Sequence, residues 1–94
     1  MQDQNTARAH LFISGRVQGV FFRSTTRQKA RSMGINGWVR NLRDGRVEAV
    51  LEGPEDEVKS LLNWCHKGPR SAHVESVEVD WEVPQGESGF KVRY

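Results

Sequence analysis

Glycine and proline cut this chain into short segments whose hydrophobic period switches from two residues to about 3.6 and back, twice over, and the order of those switches restricts the fold most. Ala9-His10-Leu11-Phe12-Ile13-Ser14 is short, apolar and closed by glycine, which suits a buried strand. Gly15-Arg16-Val17-Gln18-Gly19 reads as a loop. Phe22, Thr26, Ala30 and Met33 then share one helical face, and Gly34 supplies a stop, so a helix is predicted over Phe22 to Met33. Gly37-Trp38-Val39-Arg40-Asn41 reads as a second strand, Leu42-Arg43-Asp44-Gly45 as a hairpin turn, and Arg46 to Glu52 as the returning strand with Val47, Ala49 and Leu51 on one face. Gly53-Pro54-Glu55-Asp56-Glu57 starts a second helix, because proline fits the first turn and the acids oppose the positive end of the dipole. Val58, Leu61, Leu62 and Cys65 form its apolar stripe, and Gly68-Pro69 ends it. Val77 to Glu82 alternates as a strand with one wet face, and Phe90 to Tyr94 makes a short last strand.

That order is βαββαβ plus one terminal strand. It predicts an α+β, ferredoxin-like sandwich: an antiparallel sheet with two helices on one face, right-handed crossovers and an extra short C-terminal strand. Ninety-four residues suffice for one domain. The lone cysteine, Cys65, excludes an intramolecular disulfide framework or a cysteine-rich zinc module, and its place on the apolar stripe makes it a core residue. No run of apolar residues is long enough to span a bilayer, and the polar opening Met1 to Thr6 lacks the pattern of a signal peptide, so a cytoplasmic chain is expected.

The net charge of +2 conceals an asymmetry. Between Arg8 and Arg46 stand nine bases (Arg8, Arg16, Arg23, Arg27, Lys29, Arg31, Arg40, Arg43 and Arg46) and one acid, Asp44; from Val47 to Tyr94 ten acids face five bases. An anionic partner near the first half is the expectation, with nucleic acid, a phosphate ligand and plain solubility all open.

The first strand-to-helix junction, Gly15 to Arg23, is the most informative place. Its glycines let the main chain approach a ligand, and a helix start carries N–H donors with partial positive charge, which suits a phosphate. Arg23 in the first helical turn is disfavoured by roughly 0.3–1 kcal/mol unless an anion lies between it and the helix end. Its planar fork matches two phosphate oxygens. The competing reading makes Gly15 and Gly19 a tight connection and Arg23 a surface residue. Arg27 and Arg31, four and eight residues on, read as a solvated stripe, and Phe22 as core. A base-stacking role for Phe21-Phe22 is weaker, because RNA-recognition aromatics sit within strands. Asn41 either caps the following turn or uses its carbonyl and amide to hold a water and a transition-state oxygen. His10, His66 and His73 have no paired-ligand spacing, and no nucleophile with a base is evident, so no metal and no covalent mechanism is expected.

Ile13-Ser14-Gly15-Arg16-Val17-Gln18-Gly19-Val20-Phe21-Phe22-Arg23 resembles the first signature of the acylphosphatases, and Gly37-Trp38-Val39-Arg40-Asn41 with Gly45, Val47 and Gly53 resembles the second. The resemblance implies an acylphosphatase-like domain over residues 8–94, preceded by a flexible segment 1–7. The turn Leu42-Arg43-Asp44 stands where some animal members carry threonines, which points to a bacterial-type member. Resemblance implies a metal-independent hydrolase without cofactor that cleaves acyl phosphates to a carboxylate and inorganic phosphate. It assigns substrate binding to Arg23 and positioning of the attacking water to Asn41. The N–H groups of Val17, Gln18, Gly19, Val20, Phe21 and Phe22 are then expected to cradle the phosphate. The implied partner is a small-molecule acyl phosphate, with inorganic phosphate or sulfate able to occupy the site, no nucleic acid, no membrane, and a monomeric chain. The terminal carboxylate of Tyr94 is expected near Arg23. No sequence pattern marks a pocket for the acyl tail. The rival is a non-catalytic anion-binding or RNA-binding module of the same fold; a piece of a larger maturation enzyme is a third reading.

Overall fold

In a computed structural model that describes residues 5–94, the chain runs β1 (Thr6–Arg16), α1 (Phe22–Ser32), β2 (Asn36–Asn41), β3 (Val47–Pro54), α2 (Glu55–Cys65), β4 (His73–Glu82) and β5 (Phe90–Arg93). One five-stranded sheet has the order β4-β1-β3-β2-β5, with α1 packed on β2 and β5 and α2 on β1 and β3. This is the ferredoxin-like sandwich expected from the element order. β1 and β4 are longer than their apolar segments suggested, because each pairs along its full length with a neighbour. β1 starts at Thr6, opposite Pro54, and the Asn5 carbonyl accepts from Glu55 N–H at 2.8 Å. The expected boundary at residue 8 thus falls inside β1, and of the segment 1–7, residues 1–4 lie outside the described residues.

The sheet departs from wholly antiparallel pairing at β5, which lies parallel to β2. The chain leaves β4 at one edge, crosses the sheet through residues 83–89 and joins the free edge of β2 on the other side. Parallel alignment follows from that crossing, because a chain that reverses after β4 runs in the direction of β2.

Ala9, Leu11, Ile13, Val39, Val47, Ala49, Leu51 and Phe90 face the helices, where Phe22, Ala30, Val58, Leu61 and Cys65 meet them. Each large side chain buried in that layer contributes roughly 1.5–3 kcal/mol. The spacing read from the sequence therefore does select the core faces, Phe22 and Cys65 among them. Burial pushes the Cys65 thiol up to about 12 and leaves it inert as a nucleophile. Val77 and Val79 pack on the same layer while Glu78 and Asp80 stay wet, as the alternation of β4 requires. Trp81, on the same side as those valines, is half exposed.

The opposite face of the sheet is not simply solvated. Arg8 is buried there, with Nη1 donating to Glu52 at 3.1 Å and to Glu87 at 2.9 Å, and Nε donating to Glu82 at 2.8 Å. His10 lies between Glu48 at 2.6 Å and Glu82 at 2.9 Å, and Arg40 Nε donates to Glu48 at 2.6 Å. The backbone N–H groups of Gln85, Gly86 and Glu87 donate to the Glu52 carboxylate, which anchors the crossing segment. Burial alone would raise the Glu52 pKa, but these donors and Arg8 hold it below the usual carboxylate range. Glu48 and Glu52 are consequently buried in a strand that has no wet face.

Candidate active site

The site begins where β1 ends. Its register with β4 shifts between Ser14 and Gly15, and a Cβ at Gly15 would collide with the His73 carbonyl, so only glycine allows the chain to turn out of the sheet there. The loop that follows holds Gly19 at φ 74 and Phe21 at φ 65, ψ 22, both left-handed. Left-handed residues interspersed along a loop turn successive N–H groups toward a common concavity. Among the described residues, no acceptor takes up the N–H groups of Val17, Gln18, Gly19, Val20 or Phe21. α1 begins at Phe22 with no side-chain cap and no acid in its first turn, leaving its positive end without a protein counter-charge. Phe21 carries about 1–2 kcal/mol of backbone strain in that conformation.

A cavity of about 320 Å³ at this junction is lined by Val17, Gly19, Phe21, Phe22, Arg23 and Asn41, with Ser24, Arg27, Val92 and Tyr94 completing the wall. Of the residues singled out in the sequence, Gln18 and Val20 do not line it. Val20 turns its side chain into the core, as do Val17 and Phe22, so any role these three have in anion binding belongs to their backbone. Arg23 is partly exposed and has no ion pair among the described residues. Its guanidinium lies 5.2 Å from the centre of the Tyr94 ring. The expected partner at Tyr94 was its carboxylate; the contact found is the ring. Arg27 reaches the cavity wall, whereas Arg31 donates to the Phe90 carbonyl at 3.2 Å, so the helical stripe of arginines is divided in use.

Asn41 ends β2 opposite Val47, and its Oδ1 is buried without a hydrogen-bond partner among the described residues. The adjoining turn is closed by other groups. Leu42 N–H donates to the Arg46 carbonyl, Gly45 N–H to the Leu42 carbonyl, and Arg46 N–H to Asp44 Oδ1 at 3.1 Å. Asp44, not Asn41, caps the turn. A buried unpaired oxygen costs about 1–3 kcal/mol and calls for a ligand or water to satisfy it.

Gln18 also has a side-chain role that the sequence reading, which concerned only its backbone N–H, did not anticipate. Its side-chain Nε2 donates to the carbonyls of Leu42 at 2.7 Å and Arg46 at 2.9 Å, joining the loop to the turn that follows Asn41. Nothing in the local pattern marks that brace, since it spans two segments far apart in the chain.

The basic first half also resolves into a location. Arg16, Arg40, Arg43 and Arg46, joined by Arg93 from the second half of the chain, come from strand ends and the turn at the same end of the sheet as Arg23. Asp44 pairs with Arg46 and Glu48 with Arg40, so part of this charge is already offset. Arg8, counted with that group in the sequence, belongs to the far end and is surrounded by carboxylates. Its signal was available in the alternation of bases in β1 with acids in β3.

Fold and site together define a ferredoxin-like α+β sandwich with a concavity at its first strand-to-helix junction, lined by Arg23, Asn41 and loop residues whose N–H groups have no acceptor among the described residues. A family model described as acylphosphatase matches residues 9–92. The chain is 58% identical over 87 residues to an acylphosphatase of Haloarcula marismortui, covering 93% of this chain and 96% of that one. A solved acylphosphatase from Coxiella burnetii superposes with a TM-score of 0.91 at 40% identity, over 99% of this chain and all of that one, and one from Bacillus subtilis with a TM-score of 0.90 at 32% identity, over 94% and 99%. The chain belongs to the acylphosphatase family.

Proposed function

We propose that this chain hydrolyses the carboxyl-phosphate anhydride of small acyl phosphates, releasing a carboxylate and inorganic phosphate. The observation that carries the reading is the meeting on one cavity of Arg23, the unsatisfied Asn41 oxygen and the loop residues Val17, Gly19 and Phe21, whose N–H groups have no acceptor among the described residues. In this reading the N–H groups of residues 17–22 and the guanidinium of Arg23 bind the equatorial phosphoryl oxygens, whose charge is greatest in the transition state. Inorganic phosphate or sulfate would occupy the same place.

Asn41 Oδ1 accepts a hydrogen bond from the attacking water and holds it in line with the leaving carboxylate. The water oxygen forms the new bond to phosphorus as the bond to the carboxyl oxygen breaks, and the water proton passes to a substrate phosphate oxygen. A carboxylate is a weakly basic leaving group and needs little general-acid assistance. That chemistry also needs no Lewis acid on the leaving oxygen, so the activity is proposed to be metal-independent. Positioning and electrostatics supply the acceleration. The arginines gathered at this end of the sheet raise the local potential for an anionic substrate. The chain is proposed to act as a cytoplasmic monomer; no helix among the described residues is long and apolar enough to cross a membrane.

The test is hydrolysis of benzoyl phosphate in the presence of a chelator, compared with a plain phosphate monoester. Turnover of the first only, abolished in Arg23→Ala, is the expected result. Full activity in Arg23→Ala would sink the assignment. Oligonucleotide binding that falls steeply with salt, in the absence of any hydrolysis, would favour the nucleic-acid-binding alternative instead.

A further inference from the structure

Phe21 combines two unfavourable features at one position. It is the residue other than glycine with positive φ among the described residues, and its side chain is 75% exposed. Glycine would satisfy the backbone there without steric objection, as Gly19 does two residues earlier. What glycine cannot supply is a ring. Strain of this kind is retained where the surrounding structure or the function requires it.

Phe21 lines the cavity together with Arg23, Asn41 and Tyr94. Tyr94 is fully exposed, and its own ring lies against the Arg23 guanidinium. Val92 adds apolar surface to the same wall. The cavity thus has cationic and polar groups able to hold a phosphoryl group, and two exposed aromatic rings beside them. A substrate with its phosphate on Arg23 and its leaving oxygen opposite the water on Asn41 must place its acyl group outside that polar cluster, toward the part of the wall made by Phe21, Val92 and Tyr94.

We propose that Phe21 is a specificity-determining residue, part of an aromatic rim that receives the acyl group and favours flat, aromatic acyl phosphates over acetyl phosphate. This inference rests on the acyl-phosphate reading above and deepens it by naming the class of acyl group. An aromatic acyl group gains offset or edge contacts with the rings and removes their apolar surface from water, whereas an acetyl group is too small to cover them.

The experiment measures kcat/KM for benzoyl phosphate and acetyl phosphate in the wild-type chain and in Phe21→Ala, Phe21→Gly and Phe21→Tyr. Any loss common to both substrates through a disturbed loop cancels in the ratio of the two. That ratio should fall about tenfold in Phe21→Ala and Phe21→Gly and return to near the wild-type value in Phe21→Tyr. Phe21→Gly suits the left-handed backbone and so keeps the test independent of folding defects in the alanine variant. An unchanged ratio in active variants overturns the aromatic rim alone. A wild-type chain that hydrolyses neither substrate overturns the acyl-phosphate reading itself, and this inference with it.

Discussion

The side-chain amide of Gln18 donates to the Leu42 carbonyl at 2.7 Å, across 24 residues of sequence, and so fixes the separation of two segments that share one cavity. The same nitrogen reaches the Arg46 carbonyl, which also accepts from Leu42 N–H. One amide therefore links the loop of N–H donors to the turn that positions Asn41. Neither segment alone is a site.

Removing that amide should loosen the geometry more than the fold. Two hydrogen bonds of about 1 kcal/mol each are lost in Gln18→Ala, so stability should fall by about 1–2 kcal/mol in chemical denaturation. We expect kcat for benzoyl phosphate to fall about tenfold as well, because misplacement of a reacting group by a fraction of an ångström is costly. Gln18→Glu, which cannot donate to either carbonyl when ionised, should behave no better. A stability loss with kcat unchanged would restrict Gln18 to a structural role.

Asn41 should show the opposite balance. In Asn41→Ala the buried, unpaired Oδ1 disappears together with its desolvation cost, so the melting temperature should hold or rise. The chemical step should nevertheless slow on the order of 100-fold, by analogy with the loss of one transition-state hydrogen bond. A change confined to KM would make Asn41 a binding residue, and a clear loss of stability would show that its oxygen has a structural partner after all.

His10 should make stability depend on pH. Burial disfavours its charged form, but hydrogen bonds to Glu48 and Glu82 outweigh that and raise its pKa above the ordinary value. Both ring nitrogens face carboxylates, which suits an imidazolium that donates twice. Glu48 is shared with Arg40 and Glu82 with Arg8, and Asp80 stands opposite His10 in the register; both glutamates are held below the usual range. With the folded pKa above the unfolded one, the stabilisation is complete below about 6.5 and is lost as pH rises through the raised value. Melting temperatures of wild type and His10→Gln, followed from pH 5.5 upward, should converge as the pH rises. A constant gap would contradict this role.

The element order, the core faces of both helices and β3, and the junction with Arg23 were legible because they depend on local chemistry: hydrophobic period, glycine and proline punctuation, and a cation at the wrong end of a helix dipole. Only the tertiary structure decided that Asp44 and not Asn41 caps the turn, that Gln18 acts through its side chain, and that Arg8 is withdrawn from the basic group by carboxylates from β3, β4 and the crossing segment. It also decided that Arg23 meets the Tyr94 ring and that Phe21 stands exposed in a left-handed conformation. These features depend on which distant backbone carbonyls, carboxylates and rings the fold brings within a few ångströms, and a periodic pattern along one strand or helix carries no information about them.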